Sequence, residues 1–334
     1  MKFDYIIGNP PYQEETESDS TRMPPIYNLF LEEAYKISDR VEMIHPARFL
    51  FNAGFTPKAW NEKMLHDEHF KVLYYEAKSG TVFSNTDIKG GIVISYRDAT
   101  QDFGAIGTFT VYSELNDILQ KVLVHSNQFL DAICYPALSY GLTPLMQKEH
   151  PDSVGRLRTS AFTKLEEIFF DERQHDGYEY IQMIGLVGTK RVTKYVRRDY
   201  IKTPDNFEYY KIILPASNGS GALGEVLSTP LIGQPLIGHT QTFISIGKFD
   251  NKNEAEAAFK YIKSKFARAL LGILKITQHN PPEKWKYVPL QDFTVNSDID
   301  WSQSVAGIDR QLYAKYGLDE REIEFIETHV KEMR

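Results

Sequence analysis

The sequence predicts an α/β protein: a doubly wound sheet, then a mixed α/β region with a helical carboxy-terminal end. In the first part of the chain, short apolar, β-prone runs alternate with amphipathic helical segments. Beyond residue 123 the pattern changes to Gly- and Pro-rich segments with scattered strands. This change predicts two domains, residues 1–123 and 124–334.

The first domain is expected to begin with a strand at residues 3–7, which leads directly into a Gly-Asn-Pro-Pro turn. After Pro25, an amphipathic helix should place Leu29, Ala34 and Ile37 against the sheet. The remaining predicted elements are one helix and three strands, in chain order a strand at 41–44, the helix Lys58–Leu65, and strands at 72–75 and 92–96.

The second domain is expected to contain strands at Tyr180–Val187, 209–214 and 242–246, followed by helices. Apolar residues from 259 to 273 recur at helical spacing, which predicts one helix with Arg268 and Lys275 on its outer face. Asp319, with Glu322 three residues later, predicts the capped start of a last helix.

Composition limits the possible classes of protein. One cysteine, Cys134, excludes an internal disulfide framework and favours a cytoplasmic protein. The longest apolar stretch is too short to span a bilayer and no leader pattern is visible, so we expect no membrane association. Residues 66–69 have a metal-like composition, but their two histidines are three residues apart with no third ligand marked, so exposed helix-end residues are the better interpretation and no metal is expected.

The formal net charge of −7 disfavours nucleic-acid binding, but cations gather between residues 190 and 202. A single basic strip on an acidic protein is typical of one oriented DNA-binding face, and the alternative is a solvated charged surface. Residues near 275–279 are further candidate contacts, and the alternative for them is an ordinary helix end. The predicted DNA contacts are Lys190, Arg191, Lys194, Arg197, Arg198, Arg268, Lys275 and Gln278.

The strongest motif is Asn9-Pro10-Pro11-Tyr12, at the end of the first predicted strand. An exocyclic aromatic amine is a poor nucleophile, because its lone pair is delocalised into the ring. The Asn9 side-chain carbonyl and the Pro10 backbone carbonyl, on a stretch that the prolines stiffen, can accept hydrogen bonds from such an amine. Tyr12 offers a ring on which a flipped base can stack.

The motif leaves alternatives open. All its residue types favour turns, so an ordinary surface turn is the structural alternative. The same chemistry also serves methylation of adenine N6, of cytosine N4 or of a glutamine side-chain amide.

Residues 3–12 resemble the catalytic motif of the DNA adenine-N6 methyltransferases in bifunctional, type IIG-like restriction-modification enzymes. Residues 43–50 and 82–92 are similar to the next two segments of that family. Segments of the second half resemble its target-recognition and carboxy-terminal regions: 243–247, 263–268, 275–279, 287–292 and 299–301.

The resemblance implies a partial, Rossmann-like methyltransferase sheet followed by a DNA target-recognition domain. It implies S-adenosyl-L-methionine as cofactor, double-stranded DNA as substrate, and Asn9 and Pro10 as the amine acceptors and part of the cofactor site. It also implies that Tyr12 and Tyr96 flank the target base; the alternative for Tyr96 is a partly buried strand aromatic.

The sequence departs from the family in one respect. The glycine-rich cofactor loop and the acidic ribose-binding residue, which normally precede the motif, are not found. We therefore expect the carboxy-terminal part of a methyltransferase, with a cofactor site that is incomplete without an amino-terminal part. The sequence leaves open whether the enzyme is truncated or split, and in a split enzyme a separately encoded amino-terminal methyltransferase or nuclease chain would complete it. The alternatives are a catalytically idle, sequence-specific DNA-binding subunit and a protein glutamine methyltransferase. A glutamine methyltransferase would not need so long a region after the motif.

Overall fold

The computed structural model describes residues 2–13, 24–51, 55–84, 88, 90–153, 155–275 and 277–333. Residues 85–87 and 89 of the matched segment 82–92 lie outside the described residues. The chain forms two compact units, Met1–Asn116 and Asp117–Arg334. Their division falls within a helix, Ser113–His125, and precedes the predicted boundary at residue 123.

Unit 1 is a mixed sheet with helices. Its strands are β1 (Ile6–Gly8), β2 (Arg40–Pro46), β3 (Phe70–Glu76) and β4 (Ile92–Asp98). The spatial order is β1-β2-β4-β3. β1 and β2 are parallel, whereas β4 runs antiparallel to both β2 and β3. Three strands therefore share one direction, and the reversed β4 lies between two of them, which confirms the mixed α/β class.

Helices α1 (Tyr27–Ile37) and α2 (Lys58–Leu65) contribute to the core of unit 1, and α3 (Ser113–His125) follows the sheet. Short 3₁₀ turns lie at Arg48–Phe51 and Ser79–Thr81. The core consists mainly of apolar residues from these helices and from one face of the sheet: Tyr27, Leu31, Val41, Met43, Trp60, Met64, Phe70 and Val93.

The predicted orientation of α1 is wrong for two of its three residues. Ala34 is buried, but Leu29 is 57% exposed and Ile37 is 39% exposed. The buried stripe instead runs through Tyr27, Leu31 and Ala34, at the i, i+4, i+7 spacing of a single helix face.

The opposite face of the unit 1 sheet is less covered. Because side chains alternate along a strand, Tyr5 and Ile7 point away from the core, and they are 44% and 72% exposed. On the neighbouring strands Ile44, Ile94 and Tyr96 are half-buried. We call these five residues the open face of unit 1.

Unit 2 combines several small sheets with helices. Its strands are β5 (Cys134–Tyr135), β6 (Gly141–Leu142), β7 (Tyr180–Val187), β8 (Lys190–Arg197), β9 (Ile201–Lys202), β10 (Tyr210–Pro215), β11 (Leu231–Gly233), β12 (Ile237–His239) and β13 (Phe243–Phe249). They pair in the orders β11-β10-β13-β5, β12-β7-β8 and β6-β9. The helices are α4 (Pro144–Glu149), α5 (Ala161–Lys164), α6 (Lys252–Lys263), α7 (Lys265–Leu274), α8 (Val305–Lys315) and α9 (Glu320–His329).

The predicted single helix over residues 259–273 is two helices. They meet at Ser264, whose side chain accepts a hydrogen bond from the Ala267 amide and so caps α7. α7 is buried almost throughout, because it packs against α6, α8 and α9. The capped start of α9 is confirmed: the Asp319 side chain accepts from the Glu322 amide, and the Glu322 carboxylate accepts from the Asp319 amide.

Among the residues that the structure describes, no helix combines the length and apolarity needed to cross a membrane.

Candidate active site and nucleic-acid interface

The Asn9-Pro10-Pro11-Tyr12 motif leaves the carboxyl end of β1. Gly8, the last residue of β1, pairs with Met43 on β2. A Cβ atom at Gly8 would lie 3.2 Å from the Met43 sulfur, so a small residue suits the close approach of the two strands. Pro10 is buried, whereas Asn9 and Pro11 are exposed. The motif is therefore anchored at Pro10 and presents the Asn9 side chain outward.

A cavity of about 500 Å³ lies beside the motif, and its volume is in the range of ligand pockets. It is lined by Asn9, Tyr12, Val82, Phe83, Ser84 and Ile88, and we call it the Asn9 cavity. The two rings and the amide come from two loop segments that lie about seventy residues apart in the chain. Binding residues commonly lie on loops that a rigid sheet positions. No carboxylate is among these lining residues.

A backbone hydrogen bond anchors Tyr12, and its side-chain hydroxyl is buried. Its carbonyl accepts a hydrogen bond from the Ile26 amide at 3.2 Å. Its hydroxyl is buried and has no hydrogen-bond partner among the described residues. Desolvation raises the pKa of this hydroxyl, so it remains protonated. A buried hydroxyl without a partner is costly in the free protein and available to a ligand.

The Asn9 cavity can therefore hold a flat, neutral ring that carries an amino group. Tyr12 and Phe83 can contact its faces, and the Asn9 carbonyl can accept from its amine. For a sulfonium cofactor the fit is poorer. The described lining of the cavity includes no carboxylate, and the described positive-φ glycines at 90 and 91 precede a strand instead of joining a strand to a helix.

Tyr96 does not join this site. In β4 it pairs with Glu42, whereas Ile92 pairs with Pro46 at the carboxyl end of β2. Because Glu42 also pairs with Ile7, Tyr96 is level with Ile7 of β1, two residues before Asn9 and roughly 7 Å from it along the strand direction. There its ring stacks on Tyr5, 6.2 Å between centroids, and its hydroxyl donates to Asp98 at 3.0 Å.

Phe83 is the aromatic residue that sequence reasoning missed. It lies in the segment 82–92 whose resemblance was noted, but the base-flanking role was assigned to Tyr96 instead. The usable signal was its position in the loop that follows β3, since loops at strand ends carry ligand contacts in open sheets.

The basic strip, Lys190 to Lys202, is largely neutralised by carboxylates that lie elsewhere in the sequence. Lys194 pairs with Asp171 at 2.9 Å. Arg198 approaches Glu208 at 3.9 Å.

Arg197 is engaged still more fully. Its guanidinium pairs with Glu149 at 2.9 Å and Asp199 at 2.6 Å, and it lies between the rings of Tyr178 and Tyr200. The Asp199 hydrogen bond is the largest contribution that raises the pKa of Arg197. Arg197 therefore has a structural role.

Within the described parts of the chain, three cations of the strip have no carboxylate partner: Lys190, Arg191 and Lys202. Lys190 and Lys202 are exposed. Arg191 donates instead to the backbone and side-chain oxygens of Thr229. These three are the cations that remain available for an anionic ligand.

Two of the predicted DNA contacts, Arg268 on α7 and Lys275 directly after it, are buried. Arg268 is 2% exposed and donates to the carbonyls of Lys263, Gly224 and Glu225 and to that of Lys331. Burial lowers its pKa to about 10. Lys275 is 5% exposed and donates to the Asn218 carbonyl. Both cations satisfy buried carbonyls because α7 has no outer face.

Gln278, the last predicted contact, is exposed. Its backbone carbonyl accepts from the Asn218 amide at 2.8 Å, which leaves its side chain at the surface of unit 2.

Comparisons with known proteins agree with the motif. Residues 1–83 match the family model described as Eco57I restriction-modification methylase. An adenine-specific methylase from Mycoplasma pneumoniae, itself uncharacterized, is 33% identical over 95 residues, which are 28% of this chain and 22% of that protein. This chain therefore spans less than a quarter of that relative.

A solved structure of the type IIG restriction endonuclease BpuSI aligns with 92% of this chain and 48% of its own, at 10% identity. Its TM-score of 0.32 is too low to show a shared fold.

Residues 1–83 are therefore similar to a restriction-modification methylase, and the resemblance seen at Asn9-Pro10-Pro11-Tyr12 is confirmed. The particular family that this part of the chain matches is the Eco57I restriction-modification methylase family.

Proposed function

We propose that this chain is the base-binding and DNA-recognition part of a site-specific DNA adenine-N6 methyltransferase of a restriction-modification system. The observation that carries the proposal is the Asn9 cavity, in which an amide and two aromatic rings meet at the end of β1. The family match over residues 1–83 supports it.

In the proposed reaction, an adenine flipped out of the duplex enters the Asn9 cavity. Tyr12 and Phe83 contact the faces of the ring and hold it in one plane. The carbonyls of Asn9 and Pro10 accept hydrogen bonds from the N6 amino group and direct its lone pair outward. These bonds strengthen as positive charge develops on N6, so they lower the barrier more than they stabilise the bound substrate.

S-Adenosyl-L-methionine would supply the methyl group. Apart from Asn9 and Pro10, the described residues offer little for this cofactor, so we propose that another polypeptide segment carries most of its site. The shape of unit 1 supports this, because exposed apolar residues on one face of a sheet mark an interaction surface. The same arrangement supports the proposal that β1 to β4 form part of a Rossmann-like methyltransferase sheet.

Unit 2 is the proposed target-recognition domain, with double-stranded DNA as substrate. Lys190, Arg191 and the exposed Gln278 remain the proposed DNA contacts from the sequence. Lys194, Arg197 and Arg198 have carboxylate partners, so we assign them to holding the β8 region in place.

The test is methyl transfer to adenine in duplex DNA, measured with this chain alone and with the product of the reading frame immediately upstream. We expect activity in the mixture and its loss, by about 100-fold or more, in Asn9→Ala, since one preorganised polar contact to the transition state has that effect. Asn296→Ala, an exposed asparagine in unit 2, is the matched control and should keep full activity.

Three outcomes would contradict the proposal. Equal activity of the two variants would remove Asn9 from the reaction. Sequence-specific DNA binding without methyl transfer in either sample would indicate an idle recognition subunit. Methyl transfer to a peptide glutamine, and not to DNA, would indicate a protein methyltransferase.

A further inference from the structure

A second cavity, in unit 2, contains a cation that the reaction at Asn9 does not use. Its volume is about 810 Å³, and it lies between the tip of the β7–β8 hairpin and the ends of β10 and β13. The walls are largely apolar and include Leu186, Phe243 and the consecutive Pro281 and Pro282. No Asp or Glu is among its lining residues, and Arg191 supplies its permanent charge. We call it the Arg191 cleft.

Arg191 is fixed against the wall of this cleft. Its Nη2 atom donates to the Thr229 carbonyl at 2.9 Å and to the Thr229 hydroxyl at 2.8 Å. Its guanidinium lies 5.1 Å from the centre of the Phe243 ring. Among the described residues no other acceptor binds it, so its remaining N–H groups are available.

Thr229 itself has an uncommon backbone conformation. Its φ is +34°, in the left-handed region that residues other than glycine rarely adopt. Such conformations persist where the surrounding structure holds them, and they cluster at ligand sites. In this conformation the Thr229 backbone carbonyl accepts a hydrogen bond from Arg191 and so orients its guanidinium.

The geometry restricts what can bind. A guanidinium held against a wall cannot extend to a base edge inside a stacked duplex, so the acceptor must enter the cleft. The apolar walls suit a flat ring better than a bare phosphate. Arginine carries donors and no acceptor, which matches the O6 and N7 acceptors of guanine and mismatches adenine, whose N6 is a donor.

We propose that the Arg191 cleft binds one unstacked guanine nucleotide of the DNA substrate, with Arg191 donating to O6 and N7 and with Phe243 and the two prolines forming the walls. This inference rests on the proposed function, because it takes DNA as the substrate. It adds a specificity site in unit 2 that is distinct from the Asn9 cavity.

The experiment titrates the full chain with guanosine 5′-monophosphate, adenosine 5′-monophosphate and inorganic phosphate, using isothermal titration calorimetry. We expect the guanine nucleotide to bind at least about 5-fold more tightly than the adenine nucleotide, the lower limit for a bidentate arginine contact. Arg191→Ala should abolish that preference. Arg173→Ala, which removes an exposed arginine outside the cleft, should retain it.

A second variant distinguishes loss of the binding site from loss of folding. Thr189 lines the rim of the cleft at the exposed tip of the β7–β8 hairpin, so Thr189→Trp should narrow the cleft without disturbing the core and should also weaken guanine nucleotide binding. Circular dichroism would verify that both variants fold.

Equal binding of the two nucleotides, or binding of phosphate as tight as that of the guanine nucleotide, would overturn the proposal. So would unchanged preference in Arg191→Ala. None of these titrations needs a methyl donor, a second polypeptide or a target adenine. Their failure would therefore leave the Asn9 test of the proposed function intact, and failure of the Asn9 test would leave these titrations interpretable.

Discussion

Phe83 and Tyr96 are the two candidates for the second aromatic ring beside a target base. The sequence favours Tyr96, whereas the lining of the Asn9 cavity favours Phe83. Phe83 lines the Asn9 cavity, whereas Tyr96 is outside its lining and stacks on Tyr5. We expect Phe83→Leu to lower kcat/KM for DNA methylation about 10-fold, because stacking of a base on an aromatic ring contributes roughly 1–3 kcal/mol. Steady-state methylation, with the upstream gene product in excess, measures this.

Tyr96→Leu is the matched variant in that assay, and its kcat/KM should stay within about 2-fold of the wild type. If Tyr96→Leu lost activity and Phe83→Leu kept it, the role assigned from the sequence would be restored.

His45 gives a pH prediction for stability. Its ring is fully buried against Tyr27, with Nδ1 3.2 Å from the Pro46 carbonyl and Nε2 2.7 Å from the Ser95 hydroxyl. This fits a neutral ring that donates at Nδ1 and accepts at Nε2. Burial lowers its pKa from 6.5 to about 4. The unfolded chain therefore binds a proton between pH 6.5 and pH 4 that the folded chain does not.

Folding stability from His45 is present above pH 6.5 and is lost as the pH falls towards 4, by about 3 kcal/mol. Urea unfolding of unit 1, followed through a fluorescent label between pH 7 and pH 4.5, measures the loss. In His45→Gln the dependence over this window should be flatter. An equally steep dependence in that variant would show that other groups cause it.

The motif residues could be predicted from the sequence because Asn9 to Tyr12 are contiguous and their chemistry is local. Phe83 and Tyr96 could not be ranked, because their positions depend on the antiparallel direction of β4, which pairing between distant segments decides. Arg268 and Lys275 were misjudged because an apolar stripe was interpreted as one face of a surface helix, whereas α7 is buried on all sides.

At the scale of elements, β8 shows how a charge run can mislead. Six cations lie between residues 190 and 202, but tertiary structure brings Asp171, Glu149 and Glu208 to three of them. Pairing of this kind is invisible in the sequence because these three acids lie 11 or more residues from the ends of β8. The strands themselves were well predicted: β7 has the predicted bounds, and β10 and β13 each begin one residue later than predicted.

The paired cations predict a weak salt dependence of DNA binding. If Lys190 and Lys202 are the cations of this strip that contact phosphate, log K should fall with log[salt] with a slope no steeper than about −2, against about −5 for all six. Lys190→Ala should reduce the magnitude of the slope by about 0.9. Lys194→Ala, which removes a cation already paired with Asp171, should leave it nearly unchanged.

Fluorescence anisotropy with a labelled duplex over a series of salt concentrations gives these slopes. A wild-type slope near −5, or equal effects of the two variants, would mean that the ion pairs open when DNA binds.

At the scale of the whole molecule, the sequence predicted two domains and a mixed α/β class, and the chain has two compact units. The open face of unit 1 was not visible in the sequence. The sequence alone does not show whether Tyr5 and Ile7 are buried or exposed, because a short apolar run is the same whether one or both faces of its sheet are covered. The structure separates the two cases through exposure.

The open face predicts association. Ile7 is 72% exposed beside Tyr5, and a contiguous exposed apolar surface favours contact with another protein surface. We expect the isolated chain to self-associate at high concentration, and the upstream gene product to suppress this by covering the same face. Sedimentation equilibrium should show a weight-average mass that rises with concentration in the wild type and much less in Ile7→Glu.

Val295→Glu is the matched control, because Val295 is 99% exposed and belongs to unit 2, whereas the open face belongs to unit 1. It makes the same kind of change in charge and polarity and should self-associate like the wild type. Equal behaviour of the two variants would mean that another surface drives association. Loss of both self-association and binding of the upstream gene product in Ile7→Glu alone would identify the open face as the surface that the upstream gene product covers.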